Sequence, residues 1–561
     1  MIVLIERRDL LDGARVEAAV CVVGSGAAGT SLVIALAQAG IDVVVLEAGG
    51  RRPGRTDVDA LVGDLSAAPE HDPLECVRQR RLGGTTAQWG GRCLPLDAVD
   101  FETRSWVPGS GWPVSRSDLM PWYRGAADLL RLGAFEWTVA DALPDAAPFL
   151  LDGRDGSLLT DDMLWRWSPP VRFWPAFRKR LVAHPLVRVV QHAPVVRLEQ
   201  AEAGGPVICA VVAAGQGREL RVRARHFVVA AGGLETARLL LCSDGLSRGG
   251  IGNSGDQVGR HYMIHPLAEV AEVRARPGVS VSGAADFATS RDGVYVRRML
   301  RLSDDAQRRH QLRNAAFALW YPEPSDPAHG DGLLSCFALV RQALTKTGGF
   351  KATGVHRRYA TNPATGDHLS NVARDLPGVS RYAAHWVRRR WLSARTLPSF
   401  TTLPRNGVYR LRFDGEQSPE PGNRVVLSSA RDDDGMRRLE VHHRVGRDDR
   451  ESLLRTLGLI ATEVHRAGRA EVVLPPPELF DDLVLGDGTH QMGTARMSAT
   501  PRSGVVDADC RVHDSPNLFL AGSAVFPTSG MAGPTMTIVA LSLRLAEQLR
   551  REVLGRSAVS T

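Results

Sequence analysis

The feature that most constrains the fold lies near the N-terminus, where a short apolar run is followed by closely spaced glycines. The run VEAAVCVV (16–23) leads into the turn GSGAAG (24–29) and a helical pattern, TSLVIALAQAG (30–40). A second apolar run then ends at Glu47. Strand, glycine turn, helix, strand and acid in this order are typical of a dinucleotide-binding unit. The sequence therefore predicts a Rossmann-like α/β domain at this end of the chain.

Each glycine of this turn has its own physical role. Gly24 permits the tight turn, Gly26 lets the backbone approach a pyrophosphate, and Gly29 allows the helix to pack closely on the strand. The start of the helix supplies amide donors to the phosphate, and Glu47 stands where a carboxylate accepts ribose hydroxyls. The residues that this unit assigns to the cofactor are Gly24, Ser25, Gly26, Ala27, Ala28, Gly29, Glu47 and Ala48.

The fingerprint alone does not distinguish NAD from FAD, but two later segments favour FAD. Residues 224–241, ARHFVVAAGGLETARLLL, predict a strand, a small-residue turn and a helix. Residues 517–523, NLFLAGS, predict a short strand that also ends in a glycine turn. Two such turns, joined to the first unit from far along the chain, fit a long, two-part cofactor lying across one sheet. The alternative is that both are ordinary strand-to-helix turns. The cofactor contacts assigned to them are Ala231, Gly232, Gly522 and Ser523.

A glycine-rich loop, RLGGTTAQWGGR, occupies residues 81–92. Four glycines with hydroxyl side chains and a tryptophan allow the backbone to approach a planar ligand closely. The alternative interpretation is an ordinary surface loop. The residues of this loop assigned to the cofactor are Arg81, Gly83, Gly84, Thr85, Gln88, Trp89 and Gly90.

Length and composition exclude several classes of protein. At 561 residues, with 44% hydrophobic and 23% charged residues, the chain is a globular protein long enough for two domains. No run reaches the roughly eighteen apolar residues of a membrane helix, and the N-terminal MIVLI is too short for a signal-peptide core. We therefore expect a cytoplasmic protein without a membrane span. The net charge of +7 is modest, and because no nucleic-acid motif accompanies it we expect no nucleic-acid partner.

A change of texture along the chain predicts a second domain. Residues 101–185 are rich in Trp and Pro, and from about 266 to 484 alternating segments such as NGVYRLRF and RRLEVHHRV predict antiparallel strands. We expect an α+β substrate domain, built on an antiparallel sheet and inserted into the nucleotide-binding one. The predicted division is a discontinuous FAD-binding domain of residues 1–110, 185–265 and 485–561 and a substrate domain of residues 111–184 and 266–484.

Other common chemistries lack their signatures. The seven scattered cysteines predict neither a disulfide framework nor a CxxC pair. His261 and His265 have the i, i+4 spacing of metal ligands, but the second precedes a proline and no third ligand is evident, so no metal site is predicted. Neither a GxSxG elbow nor a Walker loop is present, which excludes the commonest hydrolase and NTPase classes.

Taken together, the motifs resemble those of the glucose–methanol–choline (GMC) flavoprotein oxidoreductases, in the bacterial branch nearest the pyranose oxidases. The resemblance covers nearly the whole chain, in family order. The matching segments are GSGAAG with Glu47, GGTTAQWGG, VVAAGGLETARLLL, GRHYMIHP, EQSPEPGNRVVL, HQMGTARM, NLFLAGSAVFPTSG and PTMT. It implies a glutathione-reductase type of FAD-binding domain and an FAD that oxidises an alcohol, commonly a sugar hydroxyl. Electrons would then pass to oxygen, a quinone or a redox protein.

The resemblance also assigns individual residues. His490 matches the family's active-site histidine, and Val195 falls where the family places a backbone contact to adenine. Pro534 and Thr535 fall where the last helix of the family meets the flavin ring. The glycines of the fingerprint, the loop from Gly83 to Gly90 and the turn at Gly522 match the family's cofactor contacts.

Two positions depart from the family's pattern. Gln88 stands where pyranose oxidases carry a histidine bonded covalently to the flavin, which implies a dissociable FAD. Gly533 stands where the family usually has an asparagine or histidine as its second active-site side chain. Either another donor such as Ser529 or His265, or a group of the substrate, replaces that side chain, or Gly533 makes room for a bulkier substrate.

The expected reaction removes a hydroxyl proton to His490 and a hydride to flavin N5. Neutral histidine suits the first task, because its ordinary pKa of about 6.5 lies near working pH. The leading expectation is an FAD-dependent oxidase or dehydrogenase acting on a hydroxyl of a sugar, glycoside or sugar-containing natural product. A flavin desaturase, an alcohol-to-acid oxidase and an FAD-binding lyase without net redox change are the alternatives.

Overall fold

The computed structural model describes residues 4–10, 16–151, 158–215, 217–346, 364–393, 395–399, 402, 406–476, 478, 480, 483–486 and 488–557. The strands of these residues are β1 Leu4–Glu6, β2 Val16–Val23, β3 Val43–Leu46, β4 Arg92–Cys93, β5 Leu159–Trp167, β6 Val187–Gln191, β7 Val195–Gln200, β8 Val207–Ala213, β9 Glu219–Val229, β10 Leu267–Ala275, β11 Ala288–Thr289, β12 Tyr295–Leu302, β13 Ala315–Trp320, β14 Val408–Gly415, β15 Arg424–Arg431, β16 Arg437–His442, β17 Ala470–Val473 and β18 Leu518–Leu520.

The α-helices of the same residues are α1 Ala27–Gln38, α2 Arg55–Asp59, α3 Leu74–Val77, α4 Arg116–Leu129, α5 Val139–Ala142, α6 Phe173–Val182, α7 Gly233–Cys242, α8 Ser282–Ala285, α9 Asp304–His310, α10 Gly332–Lys346, α11 Thr365–Arg374, α12 Leu376–Trp391, α13 Arg447–Ala467 and α14 Thr535–Ser557. Short 3₁₀ turns include Gly84–Ala87 and Ser523–Val525.

The first sheet is the predicted nucleotide-binding sheet. Its strand order is β1-β6-β3-β2-β9-β8-β7, and β18 also pairs with β9. The neighbours β1–β6, β6–β3, β3–β2 and β2–β9 are all parallel, and so is the pair β18–β9. The hairpin β7–β8 adds an antiparallel edge. The strands read as nearly continuous valine runs because helices cover both faces of such a sheet. The Rossmann-like prediction is confirmed.

Helix α1 follows β2 directly and is buried on almost every side. Gly26 caps it in an extended conformation, and Leu32 and Leu36 are fully buried one turn apart. The C-terminal helix α14 packs against α1 and buries Leu541, Leu545 and Leu549. Each such leucine contributes about 1.5–3 kcal/mol on burial. Helix α14 therefore has one apolar face, although Ile538 remains partly exposed, toward a cavity.

The second sheet is antiparallel, with strand order β17-β10-β14-β13-β12-β5-β4 and with β11 paired to β12. In strand β14, alternate residues face the apolar core on one side of the sheet and the cavity on the other. Tyr409, Leu411 and Phe413 are buried in the apolar cluster of this sheet, while alternate residues point to the opposite face. Arg412 and Asp414 are thereby presented to the cavity between the sheets. The predicted α+β architecture is confirmed, and the domain boundaries stay a prediction.

Two further findings concern the whole of the described chain. No helix among the described residues is long and apolar enough to cross a membrane. Within the same residues, no group of three or more His, Cys, Asp or Glu side chains is placed to hold a metal ion. Among the described residues no two of the seven cysteines form a disulfide, and four of them are buried.

Candidate active site

A cavity of about 940 Å³ lies where the carboxyl ends of β2, β3 and β9 meet the open face of the second sheet. Ligands of open α/β sheets bind at this edge. The predicted site residues that line it are Gly24, Ser25, Gly26, Ala27, Ala28, Glu47, Ala48, Gly84, Thr85, Gln88, Trp89, Gly90, Val195, Ala231, Gly232, His490, Gly522, Ser523, Gly533, Pro534 and Thr535. Segments that are far apart in sequence therefore converge on one chamber.

Two predicted residues lie behind the wall of this cavity. A Cβ on Gly29 would stand 2.0 Å from the carbonyl oxygen of Gly24, so its missing side chain lets α1 approach the preceding turn. Gly83 has a φ of +86° and its amide donates to Ser25 Oγ at 3.0 Å. Both residues shape the wall and do not line the chamber.

Arg81 is not brought into the cavity. Its guanidinium donates to the backbone oxygen of Arg51 at 2.6 Å and to Gln79 Oε1 at 3.5 Å. The side chain lines a separate cavity on the other side of the glycine-rich loop. The reason is local, since Arg81 precedes the turn at Gly83 and Gly84 that separates the two chambers.

Glu47 joins the two glycine loops. Its Oε2 accepts from the amide of Ser25 at 3.0 Å and from its hydroxyl at 2.6 Å, and its Oε1 accepts from Gly49 at 2.9 Å. Burial raises the pKa of Glu47, against the opposing effect of these hydrogen bonds. Above Gly26, by contrast, an added Cβ would meet no atom within 4 Å. A carboxylate beside an open, glycine-lined helix start fits the ribose and pyrophosphate of FAD.

Two histidines, His265 and His490, line the same cavity. Nδ1 of His490 lies 2.8 Å from Nδ1 of His265, and Nε2 of His265 lies 3.2 Å from the carbonyl oxygen of Ser529. The rings are nearly perpendicular, at 85°. Burial, and next the charge of Arg92, lowers the pKa of His490 to about 4, while Asp414 opposes the shift. Burial and the neighbouring His490 lower the pKa of His265 to about 3. Both rings are therefore neutral near pH 7.

Beside the histidines lies a charged wall that motif reasoning missed. Arg92 donates to both carboxylate oxygens of Asp414, at 2.9 and 2.6 Å, and stacks on Trp165 with 4.8 Å to the ring centroid. Arg412 stacks on Trp320 at 4.7 Å and stands 3.9 Å from Asp414. Although burial opposes it, Arg92 holds the pKa of Asp414 below its usual range. The alternation RLRFD in β14 was a signal that could have found Arg412 and Asp414.

Gly533 lies directly beside His490. A Cβ there would stand 3.9 Å from Cε1 of His490 and 3.6 Å from the backbone oxygen of Arg92. The position is therefore open, and a longer side chain would enter the space next to His490. The two replacement donors named from sequence do not fill this role. The Ser529 hydroxyl bonds with the backbone of Gln417 and is fully buried, and both ring nitrogens of His265 are engaged.

Family comparisons agree with this geometry. The profile described as "FAD dependent oxidoreductase" matches residues 19–342, which include the glycine fingerprint, Glu47 and His265. The profile described as "GMC oxidoreductase" matches residues 419–542, which include His490 and Gly533.

Similar proteins include two oxidases from Streptomyces. The chain is 24% identical to the 6'''-hydroxyparomomycin C oxidase of Streptomyces lividus, over 94% of this chain and 91% of that one. It is 25% identical to the paromamine 6'-oxidase of Streptomyces fradiae, over 96% and 92%. It is also 27% identical to the fructose dehydrogenase large subunit of Gluconobacter japonicus, over 59% of this chain and 48% of that subunit.

Solved structures share the fold. A pyridoxine 4-oxidase from Mesorbium loti superposes with a TM-score of 0.51 at 17% identity, covering 95% of this chain and 99% of that one. A fungal aryl-alcohol oxidase gives a TM-score of 0.52 at 14% identity, covering 96% and 100%. With the two family profiles matched in order and their motif residues gathered around one cavity, the chain belongs to the FAD-dependent oxidoreductases and is an enzyme of the GMC type.

Proposed function

We propose that this enzyme oxidises a hydroxyl of a sugar, glycoside or sugar-containing natural product to a carbonyl, with non-covalently bound FAD. The similarity to a 6'''-hydroxyparomomycin C oxidase, a paromamine 6'-oxidase and the large subunit of a fructose dehydrogenase supports the substrate class. Gln88, which cannot bond covalently to a flavin as a histidine can, supports a dissociable cofactor. When bound, FAD supplies the hydride acceptor.

The observation that carries the proposal is the hydrogen-bond chain from Ser529 to His490. A carbonyl oxygen only accepts, so His265 must carry its proton on Nε2 and donate to Ser529. In a neutral ring the other nitrogen, Nδ1, is then an acceptor, and it must accept a hydrogen bond from Nδ1–H of His490. Neutral His490 is left with an unprotonated Nε2, which has no hydrogen-bond partner among the described residues. Nε2 is the atom that takes the substrate's hydroxyl proton.

The surrounding charges support proton removal. As the hydroxyl proton leaves, negative charge develops on the substrate oxygen, and positioned cations stabilise it best in a site closed to water. Arg92 and Arg412 line the same cavity as His490, and both depress its pKa through their charge. Since Gly533 provides no side chain, the positive charge of these guanidinium groups, which Asp414 offsets in part, takes over its contribution. A hydrogen bond to a charged group is worth about 1.5–3 kcal/mol.

Anaerobic mixing tests the proposal. FAD-saturated enzyme is mixed with a panel of sugars, glycosides and amino-sugar antibiotics without oxygen, and the visible flavin absorbance is followed. We expect at least one alcohol to bleach the flavin and to yield the corresponding carbonyl. An oxygen electrode and a dye acceptor then show which class of acceptor reoxidises it. A substrate that is cleaved while the flavin stays yellow would identify a lyase and overturn the proposal, and a product with a new C=C bond would identify a desaturase.

A second prediction concerns His265. In His265→Leu the acceptor for Nδ1–H of His490 is lost, so the ring is free to place its proton on Nε2, where it blocks proton removal. We expect the rate of flavin reduction to fall about tenfold, the worth of one net hydrogen bond, with little change in KM. His265→Asn restores an acceptor near the position of Nδ1 and should recover most of the rate. Equal losses in both variants would mean that His265 only fills space.

A further inference from the structure

A second cavity, of about 510 Å³, lies on the far side of the Gly84–Ala87 turn from the candidate FAD cavity of about 940 Å³, which we call the flavin cavity. We refer to it as the arginine cavity. Its lining residues are Arg51, Arg52, Arg81, Leu82, Gly83, Thr86, Ala87, Arg172, Trp174, Pro175 and Arg178. Three separate chain segments thus contribute five arginines and no carboxylate. None of the five arginines lines the first cavity.

The arginines of this cavity differ from the adjacent Arg80 in their partners. Among the described residues, none of the five forms an ion pair with Asp or Glu. Arg81 donates only to neutral oxygens of Arg51 and Gln79, and its Nε is buried without a hydrogen-bond partner. The adjacent Arg80 behaves differently, because it pairs with Asp57 and Asp434. Uncompensated like charges around one concavity focus a strong positive potential into it.

The helix at the rim adds to that potential. Helix α6 begins at Phe173, with Arg172 at its N-cap and no acidic residue in its first turn. Acidic residues are the usual companions of a helix N-terminus, since its partial positive charge stabilises anions. Here the partial positive charge of the helix N-terminus adds to the charge of the arginines, and both favour the binding of an anion.

We infer that the arginine cavity binds a small molecule that carries two or more phosphate groups. Guanidinium groups present paired N–H donors that match phosphate oxygens two at a time. A diphosphate or bisphosphate carries enough charge to offset most of the five arginines. Four of the five arginines are exposed at the rim, and the volume is within the range of small-ligand sites. The inference is independent of which alcohol the enzyme oxidises.

A ligand in this cavity would act on the flavin site through one turn. Thr86 lines both cavities. Its hydroxyl donates to the carbonyl of Gly83 at 2.6 Å and accepts from the amide of Phe173 at 3.2 Å. Gly83 in turn donates to Ser25, which bonds to Glu47. Binding in the arginine cavity should therefore tighten the loop that covers the FAD.

The test uses FAD-saturated enzyme, so that the cofactor fills its own phosphate site, and inorganic pyrophosphate as the probe. Isothermal titration at an ionic strength of about 0.15 M, where exposed charges are screened beyond roughly 8 Å, should show saturable binding at about one site. The unfolding midpoint of the holoenzyme, followed by release of flavin fluorescence, should rise with pyrophosphate. Absence of saturable binding would overturn the inference.

Matched double variants locate the site. Arg172→Gln with Arg178→Gln removes two charges from the cavity and should weaken pyrophosphate binding at least about tenfold. Lys179→Gln with Arg180→Gln removes the same charge from exposed positions of the same helix that do not line the cavity, and should leave the affinity within about twofold. Equal weakening in both variants would indicate only general attraction by a basic surface and would overturn the site. Citrate binding as tightly as pyrophosphate would overturn the assignment to phosphate. The flavin content of each variant reports that it has folded.

Discussion

Replacing His490 with alanine is expected to slow flavin reduction by the alcohol at least about 10²-fold, the usual contribution of a positioned base. The imidazole is the group whose Nδ1 is tied to His265 at 2.8 Å, which leaves Nε2 for the substrate. Flavin content and the unfolding midpoint should change little, because alanine removes a side chain that faces a cavity.

Stopped-flow absorbance without oxygen measures the rate of flavin reduction directly, separately from the later transfer of electrons to an acceptor. His442→Ala is the matched control, since His442 is 41% exposed at the end of β16 and bonds only to Glu440 among the described residues. Reduction by His490→Ala at near the wild-type rate would remove His490 from its role as base.

The pH dependence of the same reaction checks the electrostatics. Proton removal needs the unprotonated ring, and burial lowers the pKa of His490 to about 4. The value of kcat/KM should therefore stay level as the pH falls from 7 to about 5 and be halved only near pH 4. Brief pH jumps in the stopped-flow instrument avoid acid unfolding. A fall centred near 6.5 would show that the buried environment does not act on this ring.

Replacing Arg104 with methionine is expected to destabilise the fold by about 3–5 kcal/mol, the cost of leaving a buried charge without its partner. The Arg104 and Glu416 side chains are both 0% exposed, and their contacts are 2.7 and 2.5 Å. The pair joins the segment before α4 to the end of β14, the strand that carries Arg412 and Asp414. Methionine preserves most of the volume, so the loss isolates the charge.

Urea unfolding of the holoenzyme measures the change in free energy. The loss in free energy of unfolding should shrink as the pH falls toward the pKa of the Glu416 carboxyl group, because a protonated Glu416 no longer needs a counter-charge. Arg466→Met is the control: Arg466 is 66% exposed, pairs with Glu463 on α13, and should cost less than about 1 kcal/mol. A pH-independent deficit would point to packing and not to the ion pair.

Local patterns were sufficient for much of the fold and for part of the site. The unit β2–α1–β3, the turn after β9 and the short strand β18 lie where the residue patterns predicted them, since glycine spacing and apolar periodicity act within about ten residues. His490 and Gly533 were assigned from motifs and are 3.9 Å apart when a Cβ is placed on the glycine. Ser529 and His265, named from the sequence among the alternatives for the side chain missing at Gly533, already have hydrogen-bond partners in the structure.

The sequence by itself therefore determined the class of sheet, the cofactor unit and the position of the histidine, all of which depend on neighbours in the chain. Only the tertiary structure decided what surrounds that histidine. The proton on His490 is directed by His265, 225 positions away, and Asp414 meets Arg92 across 322 positions. The arginine cavity likewise unites residues near 51, 81 and 172. Charges and hydrogen bonds between such distant residues depend on strand order and sheet packing, and these have no signature in local spacing.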